Sequence, residues 1–330
     1  MTAQLAASTA DRSAAKIDSL SSDGAKDGAN RDSQTRTQGL PETFLWDWRG
    51  YDVSCAVSGS GQPIVLIHGF GASIGHWRKN MPALAAAGYR VYALDLLGFG
   101  NSEKPAIDYT LELWQGLLRD FWKAHIQTPA IFVGNSIGGL LALMLLAHYP
   151  EMSQAGIVLN CAGSLNHRPE DLPRPLAMGM GLFAKLVKSK LVGPLIFSQV
   201  RQKFRIRGAL KQVYKNHAAI TDELVDLLHA PSCHTGAQQV FASVLTAAPG
   251  PRPADLLPAI QQPLLVIWGE SDPWTPIQAA SLYQQLAQDN TRAVAFRSLP
   301  QTGHCPHDER PEVVNALMLD WLAQLSFKLS

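Results

Sequence analysis

From residue 41 onward, apolar and polar positions alternate in two rhythms. Two short period-two segments, 44–48 and 51–56, flank Arg49-Gly50 and predict a β-hairpin. Further β-branched, mostly unbroken apolar runs follow at 64–67, 91–94, 131–133, 156–159, 264–268 and 293–297. Between most of them the period lengthens to that of a helix, as over 111–125 and over 140–148, the latter stopped by Pro150. Eight strands alternating with helices predict an α/β fold: a mostly parallel eight-stranded sheet, covered by helices on both faces.

The alternation stops between 163 and 256, where helical and loop patterns run without a convincing strand. That span is too long for a simple loop. An inserted helical cap accounts for it, placed over the C-terminal edge of the sheet where open α/β folds bind ligands. The predicted domains are therefore a first core part at 41–162, the cap at 163–256 and a second core part at 257–330. A last helix over 311–325 sets Val314, Leu317, Trp321 and Leu325 on one face, for packing on the sheet. Residues 1–40, with almost no large apolar side chain, predict a disordered tail.

Composition narrows the class. The chain has 330 residues, 46% of them hydrophobic and 17% charged, enough for a sizeable core. Its net charge of +1 gives no global reason to expect nucleic acid. Cys55, Cys161, Cys233 and Cys305 are widely spaced, which disfavours a zinc site or a disulfide framework. No signal peptide is expected from the tail, and its acids Asp11, Asp18, Asp23, Asp27 and Asp32 argue against a transit peptide. The uncharged run 128–149 has the length of a membrane span, but Gly134, Asn135, Ser136, Gly138 and Gly139 interrupt it where a strand should give way to a helix.

Those interrupting residues carry the chemistry. Phe132-Val133-Gly134-Asn135-Ser136-Ile137-Gly138-Gly139 runs a strand into a G-x-S-x-G turn and then a helix, which makes Ser136 the candidate nucleophile. A serine hydroxyl needs a base, and the base needs a group that fixes its tautomer. His304 follows the final β run in Thr302-Gly303-His304-Cys305, and Asp272 follows the preceding one in Trp268-Gly269-Glu270-Ser271-Asp272-Pro273-Trp274. Ser136, Asp272, His304 is the chain order of α/β-hydrolase triads. Asn160 occupies the alternative place for the acid one strand earlier and cannot carry its charge, while Glu270 is expected to face solvent. His307, three residues past His304, is the less suitable base by position. Dehalogenases and epoxide hydrolases put an aspartate nucleophile on this scaffold, a chemistry that Ser136 disfavours.

His68-Gly69-Phe70-Gly71 matches the turn that supplies an oxyanion donor, so the backbone N–H groups of Phe70 and Ile137 form the expected oxyanion hole. His68 and Asp95 are expected to fix loops rather than move protons. No metal or organic cofactor is required by such a site.

Across 168–215, eleven basic side chains stand against Glu170 and Asp171, interleaved with apolar residues. Two readings remain open: peripheral contact with an anionic membrane, or a cap that packs its apolar face inward and solvates its lysines. Nucleic acid fits less well, because aromatic residues are few in this stretch.

From about Phe44 to Ala323 the sequence resembles the α/β-hydrolase superfamily, and within it the chlorophyll dephytylase branch near the pheophytinases. The likeness rests on His68-Gly69-Phe70-Gly71, His76-Trp77-Arg78-Lys79-Asn80, the Asp95–Pro105 loop, Tyr109-Thr110-Leu111-Glu112-Leu113-Trp114, the Ser136 turn and Thr221-Asp222-Glu223-Leu224-Val225. Trp268 to Trp274 and Gly303-His304-Cys305-Pro306-His307-Asp308-Glu309 complete it. The resemblance implies hydrolysis of the phytyl ester of chlorophyll to chlorophyllide and phytol, inside the cell, in the cytoplasm or at the thylakoid membrane. Open alternatives are an esterase or C–C bond hydrolase for another small or lipidic substrate, and a catalytically silent pigment- or lipid-binding protein.

Overall fold

A computed structural model describes residues 41–166, 168, 173–289 and 292–329. The tail expected over 1–40 lies outside the described residues, as do Glu170 and Asp171 of the basic segment. Strands β1 (Glu42–Trp48), β2 (Tyr51–Ser58), β3 (Gln62–Ile67), β4 (Tyr89–Leu94), β5 (Ala130–Asn135), β6 (Ser153–Leu159), β7 (Leu264–Gly269) and β8 (Val294–Leu299) form one sheet. Its order is β1-β2-β4-β3-β5-β6-β7-β8. Only the β1–β2 and β2–β4 pairings are antiparallel, so the predicted mostly parallel eight-stranded sheet is what the chain forms. The β1–β2 hairpin turns at Arg49 and Gly50, both at positive φ (59° and 84°), the backbone of a tight two-residue turn matched to strand twist.

Helices α1 (Met81–Ala86), α2 (Leu111–His125) and α3 (Ile137–His148) belong to the first half of the sheet. The Thr110 hydroxyl caps α2 by accepting the Leu113 N–H at 3.2 Å. Leu111, Trp114, Leu117, Leu118 and Phe121 repeat at helical spacing on the buried face of α2. The α3 helix is buried all round, from Ile137 to Leu146, which explains the long uncharged run as an inner strand and the inner helix behind it. No helix among the described residues is long and apolar enough to cross a membrane. The pattern over 140–148 underestimates α3, which begins at Ile137 because the turn itself is confined to Ser136.

After β6 the chain leaves the sheet and returns at β7, its direct neighbour. In between come α4 (Arg174–Lys188), α5 (Val192–Val200), α6 (Lys203–Val213), α7 (Asp222–Ser232), α8 (Ala237–Leu245) and α9 (Pro253–Leu256). The second half adds α10 (Ser281–Gln288), the short α11 (Pro306–Glu309) and α12 (Pro311–Leu329). Val314 and Trp321 of α12 are buried against the sheet with Leu317 and Leu325 beside them, and the structure adds Met318 and Leu322 to that face. Two apolar layers thus sandwich the sheet, one around α2, α3 and Trp268, the other around Trp77, Leu84 and α12.

Candidate active site

Ser136 sits at φ 58° and ψ −121°, in a region that side-chain-bearing residues occupy only under strain. The turn is held from both sides. Its N–H donates to the Leu159 carbonyl at 3.0 Å, and its carbonyl accepts the N–H groups of Ala162 (3.0 Å) and Leu140 (3.1 Å). Glycines are required where backbones meet: a Cβ on Gly134 would strike the Gly138 carbonyl, and one on Gly138 would strike the Ile67 carbonyl. Gly138→Ala is therefore expected to lower stability, although alanine is favoured over glycine in a helix by about 1 kcal/mol. Overpacking at a rigid carbonyl costs about 1–3 kcal/mol and wins. Urea denaturation midpoints check this; an unchanged or raised midpoint refutes it.

The Gly69–Phe70 turn lies against this elbow, since a Cβ on Gly69 would come within 3.3 Å of the Ser136 Cβ. Among the described residues, neither the Phe70 N–H nor the Ile137 N–H is taken by a protein acceptor. Beneath the turn His68 is fully buried; its Nδ1 donates to the Gly69 carbonyl (2.8 Å) and its Nε2 accepts the Leu96 N–H (3.0 Å). Those two bonds assign a neutral imidazole, and burial lowers its pKa despite the nearby Asp95. Asp95 in turn accepts the N–H groups of Ile74 (2.6 Å) and Asn101 (2.7 Å), so both residues fix loops.

Asp272 and His304 meet at 2.6 Å, Oδ2 to Nδ1, and both are buried. Burial alone would raise the Asp272 pKa, but hydrogen bonds from His304, Thr275 and the Trp274 N–H overcome it and leave the carboxyl below its usual range. The Trp274 N–H reaches Oδ1 at 2.8 Å; Oδ2 also accepts from the Thr275 hydroxyl and, at 2.8 Å, from Asn160 Nδ2. Asn160 thus donates to the carboxylate of Asp272, whose charge it cannot itself carry. Its own Oδ1 accepts the Gly269 N–H at 2.8 Å, which locks the ends of β6 and β7 together. Glu270 is exposed. His307 packs on Trp77 at 4.2 Å between ring centroids, fully buried, and among the described residues neither of its ring nitrogens has a hydrogen-bond partner.

Ser136, His304 and Phe70 line one cavity of about 600 Å³, with Phe99, Phe197, Val200, Ile206, Leu210, Phe241 and Trp274 among its walls. The elements of α5, α6 and α8 supply its outer side, the strand-end turns its floor. An apolar chamber of this size, with a few polar groups at one point, suits a lipophilic ligand. Lys104 also lines it and donates to the Gly100 (2.7 Å) and Ser102 (3.0 Å) carbonyls; burial brings its pKa down to about 8. No group of three or more His, Cys, Asp or Glu among the described residues could hold a metal ion.

A strap from the helical segment reaches the histidine loop, and sequence reasoning missed it. The His304 N–H donates to the Val213 carbonyl at 2.8 Å. The buried Glu309 accepts Gly303 N–H on one oxygen (2.9 Å) and Lys215 and Asn216 N–H on the other (3.1 and 2.8 Å). Next to it the Tyr214 hydroxyl donates to Asp308 (2.9 Å) and contacts His76 Nε2 (2.8 Å), while Arg78 (2.8 Å) and Lys79 (3.2 Å) pair with Asp308. The run of charges directly after His304 was the signal available: acids so close to a buried histidine are seldom solvent-facing by accident.

Three histidines in this region, His68, His76 and His307, have pKa values lowered first of all by burial, His76 to about 4. In the unfolded chain they titrate near 6.5, so below that pH the unfolded state binds more protons and stability falls, while above it their contribution is complete. The thermal midpoint is expected to be level from pH 7 to 8 and to drop progressively below about pH 6.5. A midpoint unchanged between pH 7 and 5 would contradict this.

With this geometry established, comparison with known proteins places the chain. The profile of the Alpha/beta hydrolase family matches residues 64–317. The chain belongs to the α/β-hydrolase family. Among its relatives is a chloroplastic pheophytinase of Arabidopsis thaliana, 26% identical over 302 residues, covering 79% of this chain but only 61% of that protein. A 2-hydroxy-6-oxo-6-(2'-aminophenyl)hexa-2,4-dienoic acid hydrolase of Metapseudomonas resinovorans is 29% identical over 279 residues, 83% of this chain and 89% of the relative. A solved serine hydrolase involved in carbazole degradation superposes with a TM-score of 0.68 over 86% of this chain and all of the other, at 24% identity, a likeness of fold. The α/β-hydrolase assignment makes the chain a hydrolase.

Proposed function

We propose that this hydrolase cleaves a lipophilic carboxylic ester through an acyl-enzyme on Ser136, and that its substrate is the phytyl ester of chlorophyll, taken at a photosynthetic membrane. The observation that carries the reading is the buried Asp272–His304 pair opening onto the same apolar cavity as the strained Ser136. With Nδ1 committed to Asp272, His304 presents Nε2 to the cavity. It takes the Ser136 proton as Oγ attacks the ester carbonyl, and Asp272 stabilises the imidazolium that results. The oxyanion is held by the Phe70 and Ile137 N–H groups, each worth about a hundredfold to a thousandfold in rate. Collapse passes the proton to the leaving alkoxide and releases the alcohol, phytol. Water, deprotonated by His304, then frees the acid and restores Ser136. The α4–α8 segment acts as a cap that sets the substrate, and Trp274, whose ring lies 5.2 Å from that of His304, supplies apolar wall beside the base.

The test is product analysis with purified protein supplied with chlorophyll, pheophytin and short acyl esters in parallel, with Ser136→Ala as control. Chlorophyllide and phytol from the native chain alone support the proposal. Turnover of short esters without any pigment product keeps the mechanism and removes the substrate. A second reading, C–C bond hydrolysis with the same residues, is favoured by the Metapseudomonas relative, which matches at nearly full length. Cleavage of a vinylogous diketone acid in preference to every ester would select it.

A further inference from the structure

The hydrolase site leaves one surface unexplained. Most large apolar side chains exposed on the described residues cluster on α4, α5, the turn between them and the start of α6, with Met178 76%, Leu182 61%, Leu191 83%, Leu195 67% and Phe204 68% accessible. Met178, Leu182 and Leu186 recur every fourth residue, so they form a stripe along the outer side of α4. A helix that packed its apolar face inward would bury such a stripe, whereas among the described residues of α4 and α5 Val187 is the one large apolar side chain that is fully covered. The cap is therefore not explained by inward packing with solvated lysines. A patch of this kind on a water-soluble surface marks an interaction site.

Charge identifies the partner. Residues 172–221 contain no Asp or Glu and ten Lys or Arg. Lys185, Lys188 and Lys190 are exposed beside the apolar stripe. A second copy of the chain would set this positive field against itself, and a nucleic acid would leave the aliphatic side chains in water. An anionic lipid bilayer meets both demands at once, taking the apolar tips below the headgroups and the lysines among the phosphates. The patch also adjoins the site, because Phe197 and Val200 of α5 and Ile206 of α6 line the cavity that holds Ser136.

We propose that α4, α5 and the α5–α6 turn form an interfacial docking surface for anionic phospholipid membranes, from which a lipophilic substrate enters the Ser136 cavity between α5 and α6. The docking surface stands apart from the chemistry, while the entry route rests on the ester-hydrolase reading.

The test uses the full-length chain and its Ser136→Ala form, sedimented with vesicles of phosphatidylcholine alone or mixed with phosphatidylglycerol. Both forms are expected to bind the anionic vesicles and to be released by salt. Lys185→Glu with Lys190→Glu should weaken binding by more than about fivefold per lysine, and Leu182→Asp with Leu191→Asp should weaken it at least tenfold. These four positions lie outside the cavity wall, so turnover of a water-soluble activated ester should be unchanged in both double variants while turnover of a vesicle-embedded ester falls. Absence of binding at low salt, or binding indifferent to both variants, overturns the proposal. So does a native dimer that Leu191→Asp dissociates, which would make the patch a face between copies. A chain that binds vesicles but turns over no ester keeps the docking surface and refutes the catalytic reading instead.

Discussion

Ser136→Ala is expected to lower kcat for an activated ester by about a millionfold, to the level left by binding and the oxyanion donors. The size of the effect follows from the chemistry: alanine leaves no atom to form the acyl bond, and His304 then has no proton to move. Labelling by a fluorophosphonate should vanish in parallel, because that reagent also needs the activated hydroxyl. Folding should survive, since Ser136 holds its turn through its backbone N–H and carbonyl, and the side chain makes none of those bonds. The loss of rate would thus be a chemical one, readable against an unchanged thermal midpoint. Retained turnover, with the probe bound elsewhere, would remove Ser136 from the mechanism.

Asp272→Asn is expected to cost about 10⁴-fold in kcat with little change in KM. Asparagine keeps the volume and can still reach His304, but it supplies no negative charge for the imidazolium and can present an N–H that selects the wrong tautomer. The surroundings sharpen this. Asn160 Nδ2 and the Thr275 hydroxyl both donate to Oδ2, so if the new amide placed its nitrogen there, two donors would face a third. The pH dependence of stability should change as well. Asp272 has a folded-state pKa below its unfolded value, so its contribution is present above about pH 4 and lost as pH falls through the folded value. The asparagine variant should be less stable than the native chain at pH 7, with the gap closing in acid. A variant of native kcat would mean that Asp272 only braces the loop.

Much of this was written in local patterns. The hairpin at Arg49-Gly50 was legible because positive-φ turns favour such residues, and the inner strands because parallel strands buried on two faces are apolar without alternation. Ser136 was legible because G-x-S-x-G between a strand and a helix encodes one sterically narrow turn, whose glycines are forced by carbonyls of Gly138 and Ile67. Asn160, by contrast, could be read only as an absence, a missing acid. That it hands a hydrogen bond to Asp272 depends on β6 and β7 being neighbours, which no local pattern states.

By itself, the sequence determined the order of strands and helices and the identities of the nucleophile, acid and base candidates. Each of these depends on interactions within a few residues: period, turn sterics, and side-chain chemistry next to a strand end. Only the tertiary structure shows which side chains of α4 and α5 are exposed, since the same amphipathic pattern fits a helix face turned inward or outward. It also decided what clasps the His304 loop, because Glu309 and the His304 N–H bond to backbone groups of Val213, Lys215 and Asn216 about 90 positions away, which no local pattern singles out.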